Sequence, residues 1–214
     1  MAWGSAPPVF PPLQERSRAT LEALLRAAES LLLEHSFADL SVTRIVHEAG
    51  SSSGSFYARF RDKTALLHAL HQRFVERGIA LARTRVSALG SKTPSMAELA
   101  SVVVDSLVRI FSAERGVIRA VLVESLKDEA FAERARDFVT TVSELAASRT
   151  DRSDRSAARA AAAIRVGVLT VMAVLEQDLF FGSALSTIHG PSGSVSKGDR
   201  DRLRRLFLAA VAMD

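Results

Sequence analysis

The 214-residue sequence predicts an all-α fold, and three observations carry that expectation. Apolar residues recur at i, i+3, i+4 and i+7 along almost the whole chain. No stretch alternates apolar and polar residues in the manner of a half-buried strand. Hydroxyl side chains and glycines stand where the helical stretches begin and end. About nine helices are expected: a short three-helix group, then a larger helical body.

The composition fits a folded globular chain, with 48% apolar and 24% charged residues, which rules out global disorder. The length allows two packed units but not three. A formal charge of +4 favours polyanionic partners, but the excess is modest and acidic residues are spread throughout. With no cysteine, disulfides, Cys-ligated zinc, iron–sulfur clusters and thiol catalysis all drop out, and a reducing cytoplasm fits. Residues 1–14, MAWGSAPPVFPPLQ, lack the basic and apolar regions of a signal peptide and read as a disordered Pro-rich arm, in which Trp3 carries no functional weight. The stretch 157–175 has the length of a membrane span, but Arg159 and Arg165 interrupt it at roughly 2.5–3.5 kcal/mol each, so a buried helix is expected.

Taken in order, Leu21, Leu24, Leu25, Ala28 and Leu32 form one stripe of a first helix over 16–35. Ser41 can cap a second, short helix carrying Val42, Ile45, Val46 and Ala49, which Gly50 ends with a left-handed residue. The run Ser51-Ser52-Ser53 offers a cap for a third short helix, with Phe56 and Phe60 four apart on one face. Asp62 caps a long fourth helix with Leu66, Leu70 and Phe74. A turn over 90–94 leads to a helix over 96–113, and 116–148 holds one or two more with a break at Lys127-Asp128. A polar link over 149–155 precedes a long Ala-rich helix over 156–181. A Gly/Ser/Pro loop over 182–198 follows, and a last helix carries Leu203, Leu206, Phe207, Ala210 and Val211.

Two short helices joined by an Ala-Gly-Ser-Ser turn and resting on a longer first helix are the parts of a helix-turn-helix, whose second helix enters the major groove. Over residues 16–68 the sequence resembles the TetR family. Ser41-Val42-Thr43 with Ile45, then Ala49-Gly50, Ser52, Gly54, Phe56-Tyr57, Phe60 and Lys63 stand at the spacing of that family's signature. It departs from the pattern at Ser51, where Val is usual, at Val46 (Ala), at Ser36 (Gly) and at Arg59 (His or Tyr).

Residue type assigns the roles. Val42, Ile45, Val46, Phe56 and Phe60 are expected to form the small core that sets the angle between the second and third helices. Thr43, Arg44, the Tyr57 hydroxyl and Lys63 are candidates for phosphate contacts aided by helix N-termini, and Ser52 is counted with them among the DNA-binding residues. Tyr57, adjacent to Phe56, points about 100° away from it and is expected outward. Base reading falls to Ser53, Ser55 and Arg59, with Arg44. The chain has no Asn, so direct readout rests on one or two arginines, with DNA shape supplying part of the remainder. Arg16 and Arg18 are candidates for phosphate or minor-groove contacts.

Other chemistries find less support in the sequence. Gly50-Ser51-Ser52-Ser53-Gly54 fits the letters of the serine-hydrolase elbow, with Ser52 as nucleophile, but the elbow needs a preceding buried strand, and 42–49 has helical spacing. His68 and His71 lie three apart with no third ligand at metal-binding spacing, and His47-Glu48 fits no metalloprotease pattern. The glycines match neither a P-loop nor a dinucleotide fingerprint. No enzyme activity, cofactor or metal is therefore expected. A helical interaction protein whose helix-turn-helix no longer binds DNA stays open as an alternative.

The expected organisation is an arm over 1–14, a helix-turn-helix DNA-binding domain over 15–62 and a ligand-binding and dimerisation domain over 63–214. The resemblance implies a DNA-binding regulator of transcription, a ligand-released repressor that binds a palindromic operator as a homodimer. Small residues at Ala157, Ala158, Ala160, Ala161 and Gly167 permit close helix approach, and the last two helices of each chain are expected to pair in a four-helix interface. His71, Phe74, Leu107, Phe111, Arg119, Leu122, Phe138 and Val171 are candidates to line an apolar cavity for a hydrophobic or amphipathic effector. Its binding would swing the fourth helix and separate the two recognition helices.

Overall fold

A computed structural model of the chain describes residues 13–90, 92–150, 154–181 and 195–213. Its helices are α1 (Leu13–Glu34), α2 (Val42–Glu48), α3 (Ser53–Tyr57), α4 (Lys63–Ser87), α5 (Met96–Ala113), α6 (Arg115–Glu124), α7 (Glu129–Ala147), α8 (Asp154–Phe181) and α9 (Lys197–Val211). The all-α expectation is met among the described residues. The chain divides into two compact units, with the boundary between Leu66 and Leu67, inside α4.

Several expected boundaries shift. α1 starts at Leu13, so residues 13 and 14 belong to a helix and not to the arm. Pro11 and Pro12 precede it, and proline is tolerated only at or before a helix's first turn. The rest of the arm, with Trp3, lies outside the described residues, as do 151–153 of the expected link and 182–194 of the expected loop. α8 begins two residues before Ser156, at Asp154. α9 begins at Lys197, so Gly198 is helical, and Ser196 caps this helix by accepting from the Asp199 N–H at 3.2 Å.

In the first unit α1 packs on α2, and α2 on α3. Leu24, Leu32, Ile45 and Phe56 are fully buried, with Phe37, Leu40, Val46 and Phe60 nearly so. Val42, expected in this core, is only half-buried, because as the first residue of α2 it lies at the rim. α3 is shorter than expected and ends before Phe60. The ring of Phe60 nonetheless lies 5.5 Å from that of Phe56, and its N–H donates to the Phe56 carbonyl at 2.9 Å.

The second unit is built on a core drawn from α4, α5, α6, α7, α8 and α9, including Leu99, Leu107, Ile118, Phe138, Val168 and Phe207. α5 is closed at its start by a reciprocal cap: Ser95 accepts from the Glu98 N–H at 3.3 Å, and Glu98 from the Ser95 N–H at 2.8 Å. Arg204 of α9 holds both oxygens of Asp105 of α5 at 2.9 Å. Gly167 brings α8 against α9 so closely that a Cβ there would stand 2.8 Å from the Phe207 ring. The span Ala158–Phe181 is long and apolar enough to cross a membrane, yet its Ile164, Val168, Val171 and Leu175 are buried in this core, as the sequence predicts for a buried helix.

Candidate nucleic-acid interface

The two short helices of the first unit are started by serines. Ser41, in extended backbone, accepts from the Arg44 N–H at 3.2 Å, and Ser52 likewise accepts from the Ser55 N–H at 3.1 Å. These bonds occupy donors that a helix start leaves orphaned. Between the helices Gly50 takes φ 57°, a left-handed conformation that an L side chain enters only with strain. The Ser51 N–H closes the turn onto the Val46 carbonyl at 2.8 Å, so the exchange of the family's Val for Ser leaves the turn hydrogen-bonded. Ser36, where the family has Gly, makes its own turn: its hydroxyl donates to Asp39 at 2.5 Å and accepts from the Asp39 N–H at 3.3 Å.

On this frame Thr43, Arg44, Ser52, Ser53 and Tyr57 are exposed. Tyr57 is 59% exposed while Phe56 is fully buried, with the rings 84° apart in an edge contact at 5.4 Å. The outward reading of Tyr57 is correct. Ser55 is half-buried, and its hydroxyl accepts from Ser52 at 3.1 Å.

Two cations assigned to DNA from sequence are engaged inside the unit. The guanidinium of Arg59 donates to the Ser55 carbonyl at 2.7 Å and to the carbonyl and hydroxyl of Ser17, each at 3.1 Å. It ties α3 to α1. The ammonium of Lys63 donates to the carbonyls of Phe37, Ala38 and Leu40 at 2.9, 3.1 and 3.0 Å and lies 4.8 Å from the centre of the Phe37 ring. An ammonium has three donors, and all three are used here. These residues hold the unit in shape. Asp62 caps α4 through the Ala65 N–H at 2.8 Å, and this bond, with Arg61, holds its carboxyl below the usual range.

His35 is a residue the sequence did not single out. Its Nε2 stands 2.5 Å from a terminal nitrogen of Arg44, across the turn from α1 to α2. No spacing rule connects positions nine apart across such a turn.

In the second unit the candidate pocket residues are packed. Phe74, Leu107, Phe111, Phe138 and Val171 are buried in the core, with Phe74 6.0 Å from Phe111 and 5.7 Å from Phe138. Leu122 packs against that core partly buried, and Arg119 is half-buried. His71 is 3% exposed, and its Nδ1 accepts from Arg134 at 3.1 Å. Burial, then the charges of Arg134 and His68, lower its pKa to about 4, so the ring is neutral. His68 stacks on Phe131 at 4.0 Å, and its Nε2 stands 2.9 Å from Asp128, the cap of α7. That bond, then the Ala130 N–H, holds the Asp128 carboxyl below its usual range. The two histidines, expected to be solvated or pocket-lining, therefore each meet a residue of α7. Among the described residues no group of three His, Cys, Asp or Glu could hold a metal ion.

Residues 24–70 match the family model for bacterial regulatory proteins of the tetR family. A comparison with curated proteins finds no match. Among solved structures, the chain is similar to a protein described as a TetR-family transcriptional regulator from Mesorhizobium loti, with TM-score 0.68 and 13% identity over 92% of this chain and 96% of that one. It is also similar to NalD of Pseudomonas aeruginosa, described as the secondary repressor of a multidrug efflux pump (0.62, 20%, covering 92% and 97%). A third is GusR of Salmonella enterica (0.60, 18%, covering 95% and 98%). At these identities the structural likenesses speak to fold, and the matches are to regulators and not to enzymes. Ser52 follows a helix and caps the next one, so the strand that a hydrolase elbow needs before it is missing at this point. Residues 24–70 thus match the tetR family of bacterial regulatory proteins, and the described residues have the all-helical fold of solved structures described as TetR-family transcriptional regulators.

Proposed function

We propose that this chain is a ligand-released repressor of the bacterial cytoplasm that binds a palindromic operator as a homodimer. The observation that carries the DNA-binding part is the pair of serine-capped helices, with Thr43, Arg44, Ser52, Ser53 and the 59%-exposed Tyr57 on the solvent side of a buried Ile45–Phe56 core. Hydroxyls beside two helix N-termini suit phosphate oxygens, and the Arg44 guanidinium suits both a phosphate and a guanine edge. Residues 15–62 form the DNA-binding part in this reading, with Ser55 supporting the Ser52 cap. Lys63 and Arg59 serve it by fixing α1, α3 and the α1–α2 turn in place.

Residues 63–214 take the sensing and pairing roles. Val166, Leu169 and Ala173 follow one another at helical spacing on the exposed side of α8, Leu206 is exposed on α9, and Met213 is exposed just beyond its end. Covering this stripe with the same stripe of a second copy satisfies the two-fold symmetry of a palindrome. The effector is a hydrophobic or amphipathic small molecule that inserts among Phe74, Leu107, Phe111, Phe138 and Val171. His71, Arg119 and Leu122 lie at the margin of its site. It favours a conformer with α4 displaced, in which the paired recognition helices no longer match successive major grooves. Electrophoretic retardation of duplex DNA by the purified chain tests the reading. Salt-sensitive retardation supports it, and its absence at low salt overturns it.

A further inference from the structure

Between Ser41 and Phe60 the chain has two arginines, and they have opposite fates. Arg59 is spent on Ser17 and Ser55, whereas Arg44, at the start of α2, keeps an exposed guanidinium whose side-chain hydrogen-bond partner among the described residues is His35. A guanidinium is always a donor and never an acceptor. The 2.5 Å approach therefore requires His35 to accept through Nε2 with its ring neutral and its hydrogen on Nδ1. His35 is itself fixed, since it follows α1 directly and its N–H donates to the Leu31 carbonyl at 2.9 Å.

An arginine on a solvent-facing helix start samples many rotamers, and each can reach a phosphate on any sequence. Reading guanine through O6 and N7 needs the planar fork in one orientation, and a side chain ordered beforehand loses less entropy on contact. We propose that His35 is a positioning residue for sequence choice: its neutral imidazole holds Arg44 in the orientation that reads a base, so operator discrimination, and not general DNA affinity, depends on it. This rests on the DNA-binding reading given above.

The test uses the full-length chain and two duplexes. One is a palindrome that the wild-type chain selects from a randomised library, and the other is its scrambled counterpart. His35→Ala removes the acceptor without changing the charge of the neutral ring. It should lower the selected-to-scrambled affinity ratio about fivefold, the effect of one immobilised side chain, and leave scrambled affinity within about twofold. His35→Gln, whose amide oxygen can accept, should restore the ratio. In an Arg44→Ala background, His35→Ala should have no further effect.

An unchanged ratio in His35→Ala alongside intact wild-type binding overturns this inference alone, and so does an equal loss in the Arg44→Ala background. A ratio near one for the wild-type chain also overturns it. Failure of the wild-type chain to bind either duplex overturns the DNA-binding reading, and this inference with it.

Discussion

The Lys63 ammonium sits 2.9 Å from the carbonyl oxygen of Phe37, 26 residues earlier in the chain, and two further carbonyls take its remaining donors. Those carbonyls belong to the turn between α1 and α2, which has too few residues to satisfy them within a helix. A residue whose type and place suggest phosphate binding is here an internal clasp.

Replacing Lys63 by Met keeps the aliphatic stem and removes the donors. The substitution should destabilise the first unit by about 2 kcal/mol, the scale of losing charge-assisted hydrogen bonds at a half-buried site. Urea denaturation followed by circular dichroism measures it. An unchanged midpoint would show that the carbonyls are equally well served by water.

How far the sequence could be read divides along the same line. The caps by Ser41 and Asp62, the stop at Gly50 and the outward Tyr57 depend on neighbours within four residues, where residue type and helical period decide the outcome. The clasps of Lys63 on Phe37 and of Arg59 on Ser17 span 26 and 42 residues, and the His35–Arg44 contact crosses a turn. A cation has the same type whether it faces DNA or a carbonyl, and only the fold distinguishes the two. The same applies to Phe74 and Phe138, whose apolar character fits a ligand cavity or a packed core, and which the fold places 5.7 Å apart in the core.

Gly167 provides a sharp packing test. A methyl group there would press on a fully buried Phe207 ring, so Gly167→Ala should cost about 1–3 kcal/mol despite alanine's better helix propensity. Gly198, whose added Cβ would meet nothing closer than 3.8 Å, is the control, and Gly198→Ala should stabilise α9 slightly. Thermal melting of the two variants compares them. Equal shifts would contradict the close approach of α8 and α9.

His71 sets a pH dependence. Its pKa is about 4 when folded, against the ordinary 6.5, so between these values the unfolded chain binds the extra proton and stability falls as pH falls. The stabilisation is complete above about pH 6.5 and should decline by up to about 3 kcal/mol toward pH 4. A His71→Phe variant, which keeps the ring packing against Phe74 and Phe131, should lose this part of the slope. Denaturation midpoints across the range measure it, and a variant with the wild-type slope would contradict the assignment.

Leu169 is 51% exposed on α8, in the stripe proposed to pair two chains. Leu169→Arg should shift sedimentation from dimer to monomer at micromolar protein while leaving the monomer's helicity unchanged. A wild-type chain that sediments as a monomer would remove the pairing proposal.

Whether the first unit grips DNA through its exposed hydroxyls and Arg44, as proposed, is measured by fluorescence anisotropy of a labelled duplex titrated with the purified chain at several salt concentrations, with Tyr57→Phe alongside. Affinity should fall roughly a hundredfold between about 50 and about 200 mM salt, and Tyr57→Phe should weaken binding several-fold without altering stability. Binding that is absent at the lowest salt, or indifferent both to salt and to the Tyr57 hydroxyl, would contradict the proposal.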